Sequence, residues 1–523
     1  MSQAVAPLRI RQFRSLWLAS VVSNVGSFLQ AVAGSWLMLE LTGSATWVGF
    51  MVASTTLPLL FLALTAGALA DLVDRAKLLL VSQIVMGSAA AAMAIITYTS
   101  QISPAVLLTL GLVLGVGMAF NLPAWQAMVP DLVPRGMVAS AVALNSVAFN
   151  VARAVGPALG GLIVATAGPE LAFGLNAISY AGVIVVLAFM RRSLTESEKE
   201  TNSMANAIAL GVRYARFTKP FRRLLLLAAL FAMTSAVVQS VLPSRTEELG
   251  GTATAYGLML GAMGLGALMA AFLREVVVSR LGVHSLPATI GLFGLAGVAV
   301  GAAPSVAWSM VALVVAGAAW VWTLTTTNAT AQLMAPEWVR GRAMSLYSLA
   351  FVGVLPIGSI LAGTVADLIG AGPSMMVFSA GSLVLAVLAP RLGIPALADV
   401  STPEFTAGPV LGHAITEGGP VMIVNTWDVD TGNLDAFAEI MAEVRLVRLR
   451  TGAYRWRLYR NAEDPHRLSE VFLTVSWEQH LAQHRRIDDA SAGLLREARK
   501  LDRAGSPVSR HLVAVDVEAP DGW

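Results

Sequence analysis

Twelve stretches of this chain are apolar over about the 20 residues that a bilayer core demands. They run over 16–39, 46–70, 78–98, 104–127, 139–166, 171–190, 224–243, 255–273, 286–302, 306–328, 344–368 and 373–390. Hydrocarbon offers no partner for backbone N–H and C=O groups, so stretches of this kind fold as helices that satisfy their own hydrogen bonds. Composition points the same way: 56% of the 523 residues are hydrophobic, only 13% are charged, and the mean hydropathy is +0.70. The first stretch follows Arg9, Arg11 and Arg14, as the core of a signal peptide would. It is too long for one and more spans follow, so it reads as a retained helix. The expected fold is an all-α membrane protein of twelve transmembrane helices, followed by a small α+β domain.

Several functions fall away on composition. Cysteine is absent, which excludes a disulfide framework, a thiol nucleophile and a Cys-ligated metal. The net charge is only +3 with the basic residues dispersed, so nucleic acid is not an expected partner. No Gly-x4-Gly-Lys-Ser/Thr sequence occurs, which argues against ATP drive. The basic residues nevertheless alternate between loops. Arg75, Lys77, Arg135, Arg274, Arg280, Arg340 and Arg342 fall on one side, with the N-terminal arginines and the basic stretch 191–223, whereas the opposite loops hold only Arg245. The positive-inside rule then puts both termini on the cytoplasmic side of the membrane.

The chain also repeats itself. Gln126, Met128, Pro130, Asp131 and Val133 follow the fourth stretch; Gln332, Met334, Pro336, Glu337 and Val339 follow the tenth at the same spacing. Ser146 and Phe149 match Ser348 and Phe351 in the next stretches, and Gly156 and Gly161 match Gly358 and Gly363. Two six-helix halves related by repetition form a transporter plan, with the substrate site at their interface. The expected divisions are 1–190, a cytoplasmic central loop at 191–223, 224–391, a linker at 392–419, and a cytoplasmic ferredoxin-like domain at 420–523.

Arg153 lies near the middle of the fifth stretch. A charge at that depth costs about 2.5–3.5 kcal/mol on insertion scales, so it is expected to face a polar interior. Helical spacing puts Asn150, Arg153, Pro157, Gly160 and Gly161 on one side, where small residues allow close helix approach and Pro157 is expected to bend the helix. Asn145 shares this stretch, and Asn24, Gln30 and Gln239 are further polar candidates for a cavity. Each of these polar residues could equally serve as a helix–helix hydrogen bond.

Four groups of residues carry a family resemblance: Phe13-Arg14; Leu41-Thr42-Gly43-Ser44; Gly67, Asp71 and Arg75 in the loop between the second and third spans; and Gly156, Pro157, Gly160 and Gly161 in the fifth. With twelve spans in two halves, residues 8–392 resemble the major facilitator superfamily. Within it they are similar to the transmembrane secretion effector branch, which includes the enterobactin exporter of enteric bacteria. The resemblance implies a secondary exporter of a small molecule such as a siderophore, drug or secondary metabolite, working by alternating access and proton antiport without a cofactor.

It further implies that Gly67, Asp71 and Arg75 form a cytoplasmic latch and that the fifth-span glycines with Pro157 form a gate. The usual loop motif differs at Leu72, Asp74 and Ala76, and the two earlier glycines of the fifth-span motif are Ala143 and Ala152. The arginine usual in the fourth span is missing from Leu110–Gly117, so coupling schemes that rest on it do not transfer. Acidic groups near the spans are few (Glu40, Asp71, Glu275, Asp367), and Glu40 is the candidate proton site, through burial beside Arg153.

The tail reads as βαββαβ: strands at 421–429, 453–460, 468–476 and 511–516, a helix at 433–450 opened by an Asn433 cap, and one helix over about 478–503. That order resembles the dimeric α/β-barrel domains, which implies a homodimer through the tail. Trp427, Trp456 and Trp477 are expected in its core or partner face. His480, His484 and His511 are metal-ligand types, but no carboxylate pattern singles them out, so no metal is expected. In a second reading the tail carries a sensory or enzymatic activity and the bundle only anchors it. Uptake is a third, disfavoured by the fifth-span motif.

Overall fold

The computed structural model describes residues 3–190, 204–395 and 420–514. Among them are 12 helices long and apolar enough to cross a membrane. Spans 1 to 6 are Arg11–Thr42, Ala45–Leu72, Arg75–Tyr98, Pro104–Met128, Val138–Ala167 and Pro169–Phe189. Spans 7 to 12 are Lys219–Glu248, Ala253–Leu281, Ser285–Ala302, Val306–Met334, Arg340–Ile369 and Ala371–Leu392. Each apolar run of the sequence coincides with one of them.

Local chemistry sets their ends. The Ser44 hydroxyl accepts from the Trp47 amide at the start of span 2. Asp74, where the usual loop motif has glycine, caps span 3 by accepting from the Ala76 and Lys77 amides at 2.9 and 3.3 Å. Gly168 and Gly370, at φ 85° and 95°, end spans 5 and 11 in a conformation that a side chain would strain. They lie at matched positions of the repeat, and a new span starts directly after each.

The halves are alike in plan but not in detail. Spans 3 and 6 pair within the first half, as spans 9 and 12 do within the second; span 5 packs on span 8, and span 2 on span 11. Spans 1 and 5 are unbroken, and span 5 takes up Pro157 without interruption. Their counterparts in the second half are broken. Span 7 turns at Ala236 between Lys219–Ser235 and Val237–Glu248, and span 11 breaks at residues 353–354 between Arg340–Val352 and Leu355–Ile369. The break in span 11 lies beside Gly353 and Pro356.

Two compact units divide the chain. One holds Met1–Glu198, Leu225–Asn328 and Ser348–Leu397; the other holds Lys199–Leu224, Ala329–Tyr347 and Ala398–Trp523. The second contains a linker helix, Met204–Phe217, and the tail domain. The tail is a four-stranded antiparallel sheet in the order β2-β3-β1-β4, built from β1 (Val421–Asp428), β2 (Arg455–Arg460), β3 (Arg467–Thr474) and β4 (Val508–Val513). Its helices are Leu434–Thr451, Trp477–Arg485 and Asp489–Lys500, which completes the split βαβ plan of a ferredoxin-like domain.

Alternate residues of β1 turn inward, and Trp427 joins Phe437, Met441 and Val444 in the core. Trp456 packs against that core half-buried, and Trp477 packs beside Phe472. Three expectations need correction. The helix at 478–503 is two helices, because the Asp488 carboxylate caps a fresh start by accepting from the Ser491 amide at 2.8 Å. Asn433 occupies the cap position, but its side chain makes no capping bond. The last strand begins at Val508, ahead of the expected 511, and residues 515–516 lie outside the described set.

Candidate functional site

The positions where the two halves touch are set by small residues. Within the span 5 motif, two faces serve two partners. Gly156 and Gly160 face span 1, where an added Cβ on Gly156 would stand 2.6 Å from Phe28 Cβ and one on Gly160 would stand 3.1 Å from Leu29 Cα. Gly161 faces the opposite half: a Cβ there would collide with the Ala253 carbonyl and with Gly257, and one on Gly257 would collide with the Pro157 carbonyl.

The second seam repeats this arrangement. Gly358 packs on Met233 and Ala236 of span 7, while Gly363 packs on Ala45 and Thr46 of span 2 and Gly49 packs on Ser359. Gly156 and Gly161 thus share the roles of their repeat partners Gly358 and Gly363. Both seams lie at the end of the bundle whose loops are poor in arginine. Backbone meets backbone at both.

One seam carries a carboxylate fastening that its counterpart lacks among the described residues. Asp367, in the last turn of span 11, reaches the start of span 2. Its carboxylate accepts from Ser44 Oγ at 2.5 Å, Ala45 N at 2.7 Å, Thr46 N at 3.1 Å and Thr46 Oγ1 at 2.6 Å. A carboxylate there satisfies orphan amides and complements the helix dipole. The matched position in span 5 is Ala165, which has no group to offer.

Between the seams, Arg153 crosses from one half to the other. Its guanidinium carbon lies 4.2 Å from the centre of the Trp320 ring in span 10. Trp320 in turn meets Phe351 of span 11 edge-on at 6.2 Å, and Phe351 meets Phe231 of span 7 at 6.5 Å. Among the described residues Arg153 has no carboxylate partner, so the ring face is what offsets its charge. Such a contact is worth about 2 kcal/mol or more once water is excluded.

The other sequence candidates scatter. Asn150 donates to the Ser146 carbonyl of its own helix at 2.8 Å. The Asn145 amide oxygen is buried without a partner, in an apolar niche with Phe13, Trp17 and Trp125. Gln30 is buried inside the first half, accepting from Asn176 Nδ2 at 2.5 Å with its own amide nitrogen 3.5 Å from the Met93 sulfur. That is the helix–helix bond. Asn24 and Gln239 are half-buried.

Glu40 is exposed at the end of span 1, where it accepts from Trp36 Nε1 at 2.6 Å, so it is not buried beside Arg153 here. Trp36 stacks on Tyr256 of span 8 at 6.0 Å. Arg75 donates to Asp131 at 2.6 Å, tying span 3 to the turn after span 4. Gly67 and Asp71 continue the span 2 helix, but the Asp71 side chain lies outside the described residues. Sequence reading missed Trp320, Asp131 and the role of Asp367. Only the last two left a trace, as acidic residues at span ends.

In the tail, His480 Nε2 and His484 Nε2 are 3.3 Å apart, and the His480 ring packs against Trp477 and His511. No group of three or more His, Cys, Asp or Glu among the described residues is placed to hold a metal.

Comparison with known proteins completes the picture. The family model described as "Transmembrane secretion effector" matches residues 2–519. The multidrug efflux pump Tap of Mycolicibacterium fortuitum is 26% identical over 388 residues, covering 72% of this chain and 94% of that protein. The enterobactin exporter EntS of Shigella boydii is 26% identical over 395 residues, covering 72% and 90%. Among solved structures, a bacterial homologue of the lysosomal transporter Spinster, inward-facing and occupied, superposes with a TM-score of 0.62 at 14% identity, covering 76% of this chain and 99% of that one. The chain therefore belongs to the transmembrane secretion effector family of the major facilitator superfamily, and it is a multi-pass membrane exporter of small molecules, not an enzyme.

Proposed function

We propose that this protein exports an anionic or electron-rich small molecule (a siderophore, drug or secondary metabolite) by alternating access, in antiport with protons. The single observation that carries the reading is Arg153 laid on Trp320 between the halves, a mid-depth cation with no carboxylate partner among the described residues. A substrate carboxylate or catecholate is the counter-charge such a guanidinium lacks, and the indole offers a flat face for an aromatic ring. The names of Tap and EntS, for multidrug efflux and enterobactin export, support a small-molecule cargo. Alternating access is supported by the small-residue seams, which can part without side chains to disentangle. The span 5 gate of Gly156, Pro157, Gly160 and Gly161, flanked by Asn145 and Asn150, belongs to the same proposal.

The proposed orientation puts both termini, the tail and the latch of Gly67, Asp71 and Arg75 in the bacterial cytoplasm. Glu40 remains a proton-site proposal only for a conformation that buries it. A tail homodimer is supported by the uncovered face of its sheet, where Met422, Tyr459, Val508 and Leu512 are exposed. The deciding experiment is efflux in a deletion strain complemented with Arg153→Ala, with membrane abundance checked by blot. Efflux is expected to vanish at unchanged abundance, and wild-type efflux from that variant would remove the basis of the proposal.

A further inference from the structure

Four arginines of the second unit converge, and none of them pairs with an acid among the described residues. Arg213 sits on the linker helix, Arg342 at the start of span 11, and Arg485 and Arg486 at the end of the second tail helix. The backbone brings them together: Gly211 lies so close to span 11 that a Cβ there would stand 2.9 Å from Arg342 Cβ. The Arg486 guanidinium lies 5.0 Å over the ring of Trp338, in the turn before span 11. That ring meets Tyr214 of the linker helix edge-on at 5.9 Å, and the Tyr214 hydroxyl donates to the Met334 carbonyl at 2.6 Å.

Three observations say that this cluster is incomplete. None of the four arginines forms an ion pair among the described residues. Arg213 Nε and Trp338 Nε1 are both buried donors with no acceptor. The Arg486 guanidinium is held down at about 10 by burial first and then by Arg342, Arg213 and Arg485, three further cations that face it. Like charges gathered around orphaned donors are unfavourable unless an anion joins them.

We propose that Arg213, Arg342, Arg485 and Arg486, with the Trp338 indole N–H, form a binding site for a phosphate group. Guanidinium forks match phosphate oxygens in geometry, and a dianion answers several of them at once. Arg342 stands just inside a membrane span, so the phosphate can come from an anionic lipid headgroup or from a soluble phosphate. Either would brace linker helix, span 11 and tail against one another.

The test uses full-length protein and its melting temperature. In detergent, inorganic phosphate and pyrophosphate are compared with sodium chloride at equal ionic strength, because screening alone also eases the repulsion. In parallel, lipid nanodiscs of phosphatidylcholine are compared with discs containing phosphatidylglycerol. The expected result is a rise in melting temperature with phosphate species, with phosphatidylglycerol, or with both. The arm that responds names the source.

Arg213→Gln and Arg486→Gln should each weaken the response about tenfold in ligand concentration, the factor that losing one charge-assisted hydrogen bond gives. Arg457→Gln, on an exposed strand position, should respond as wild type. Arg485→Gln, at an exposed site, serves if a buried variant fails to fold. A wild-type protein indifferent to both arms, or Arg→Gln variants that respond like wild type, would overturn the proposal.

Discussion

Arg153 shows how much one residue can be read from sequence and where that reading stops. Its depth and cost are properties of the helix it sits on, so they are legible in the chain. Its partner is not: Trp320 lies in another half, and nothing in its local pattern distinguishes it from an interfacial tryptophan. The contact makes a prediction at this scale. Trp320→Ala should reduce efflux about tenfold or more, and Trp320→Phe, which keeps a ring face, should reduce it less; initial efflux rates at matched expression measure both. An equal loss in the two variants would mean that the indole acts by volume alone. Asp74 teaches the same lesson from the other direction. It departs from the motif usual at that loop, and the structure gives the departure a use as the cap of span 3.

At the scale of elements, the two seams make distinct predictions. Gly161 and Gly363 each face backbone across their seam, so a large side chain has nowhere to go. Gly161→Leu and Gly363→Leu should hold the arginine-poor end apart. Because the chain has no cysteine, a Ser359→Cys reporter at the second seam can be labelled alone with a membrane-impermeant maleimide. Labelling should accelerate in Gly363→Leu, and also in Asp367→Asn, which weakens the fastening at the start of span 2. Unchanged labelling in Asp367→Asn would reduce that carboxylate to an ordinary cap.

The tail makes a prediction about pH. His480 is held at about 3, by burial first and then by His484, His511 and Arg448; His484 is held at about 4, by burial first and then by Arg448 and His511. An unfolded histidine titrates near 6.5, so the unfolded tail binds more protons below that value. Stability from this source is full above about pH 6.5 and is lost as the pH falls through about 4 toward about 3. Glu470 follows at lower pH. Burial alone would raise its carboxyl, but Arg448 at 3.0 Å, Asn425 and Trp456 hold it below the usual range, and that contribution is lost as the pH falls through the depressed value. Hydrogen exchange of the 421–513 amides in the full chain should show the decline, and His480→Leu should flatten its upper part.

For the whole molecule, the repeat is the organising fact, and its imperfections are where function is expected. Matched glycines do matched jobs in both halves, yet the breaks in spans 7 and 11 and the Asp367 fastening belong to one half only. Deleting residues 400–523 should leave measurable efflux in the complemented strain if the bundle carries transport. Complete loss at normal membrane abundance would favour a tail that carries the activity.

The chain by itself determined the twelve spans, their pairing into two repeated halves, the motif glycines and the order of the tail's strands. These follow from local quantities: the length of apolar runs, helical and strand periodicity, and capping chemistry near in sequence. Only the tertiary structure decided that Gly161 meets Gly257, that Asp367 reaches Ser44, that Arg153 lies on Trp320 and that four arginines converge on the linker. Each of these joins residues far apart in the chain, and no periodicity or composition encodes which distant side chain will arrive. That choice rests on the packing of whole helices, where a missing Cβ or a one-turn shift changes the partner.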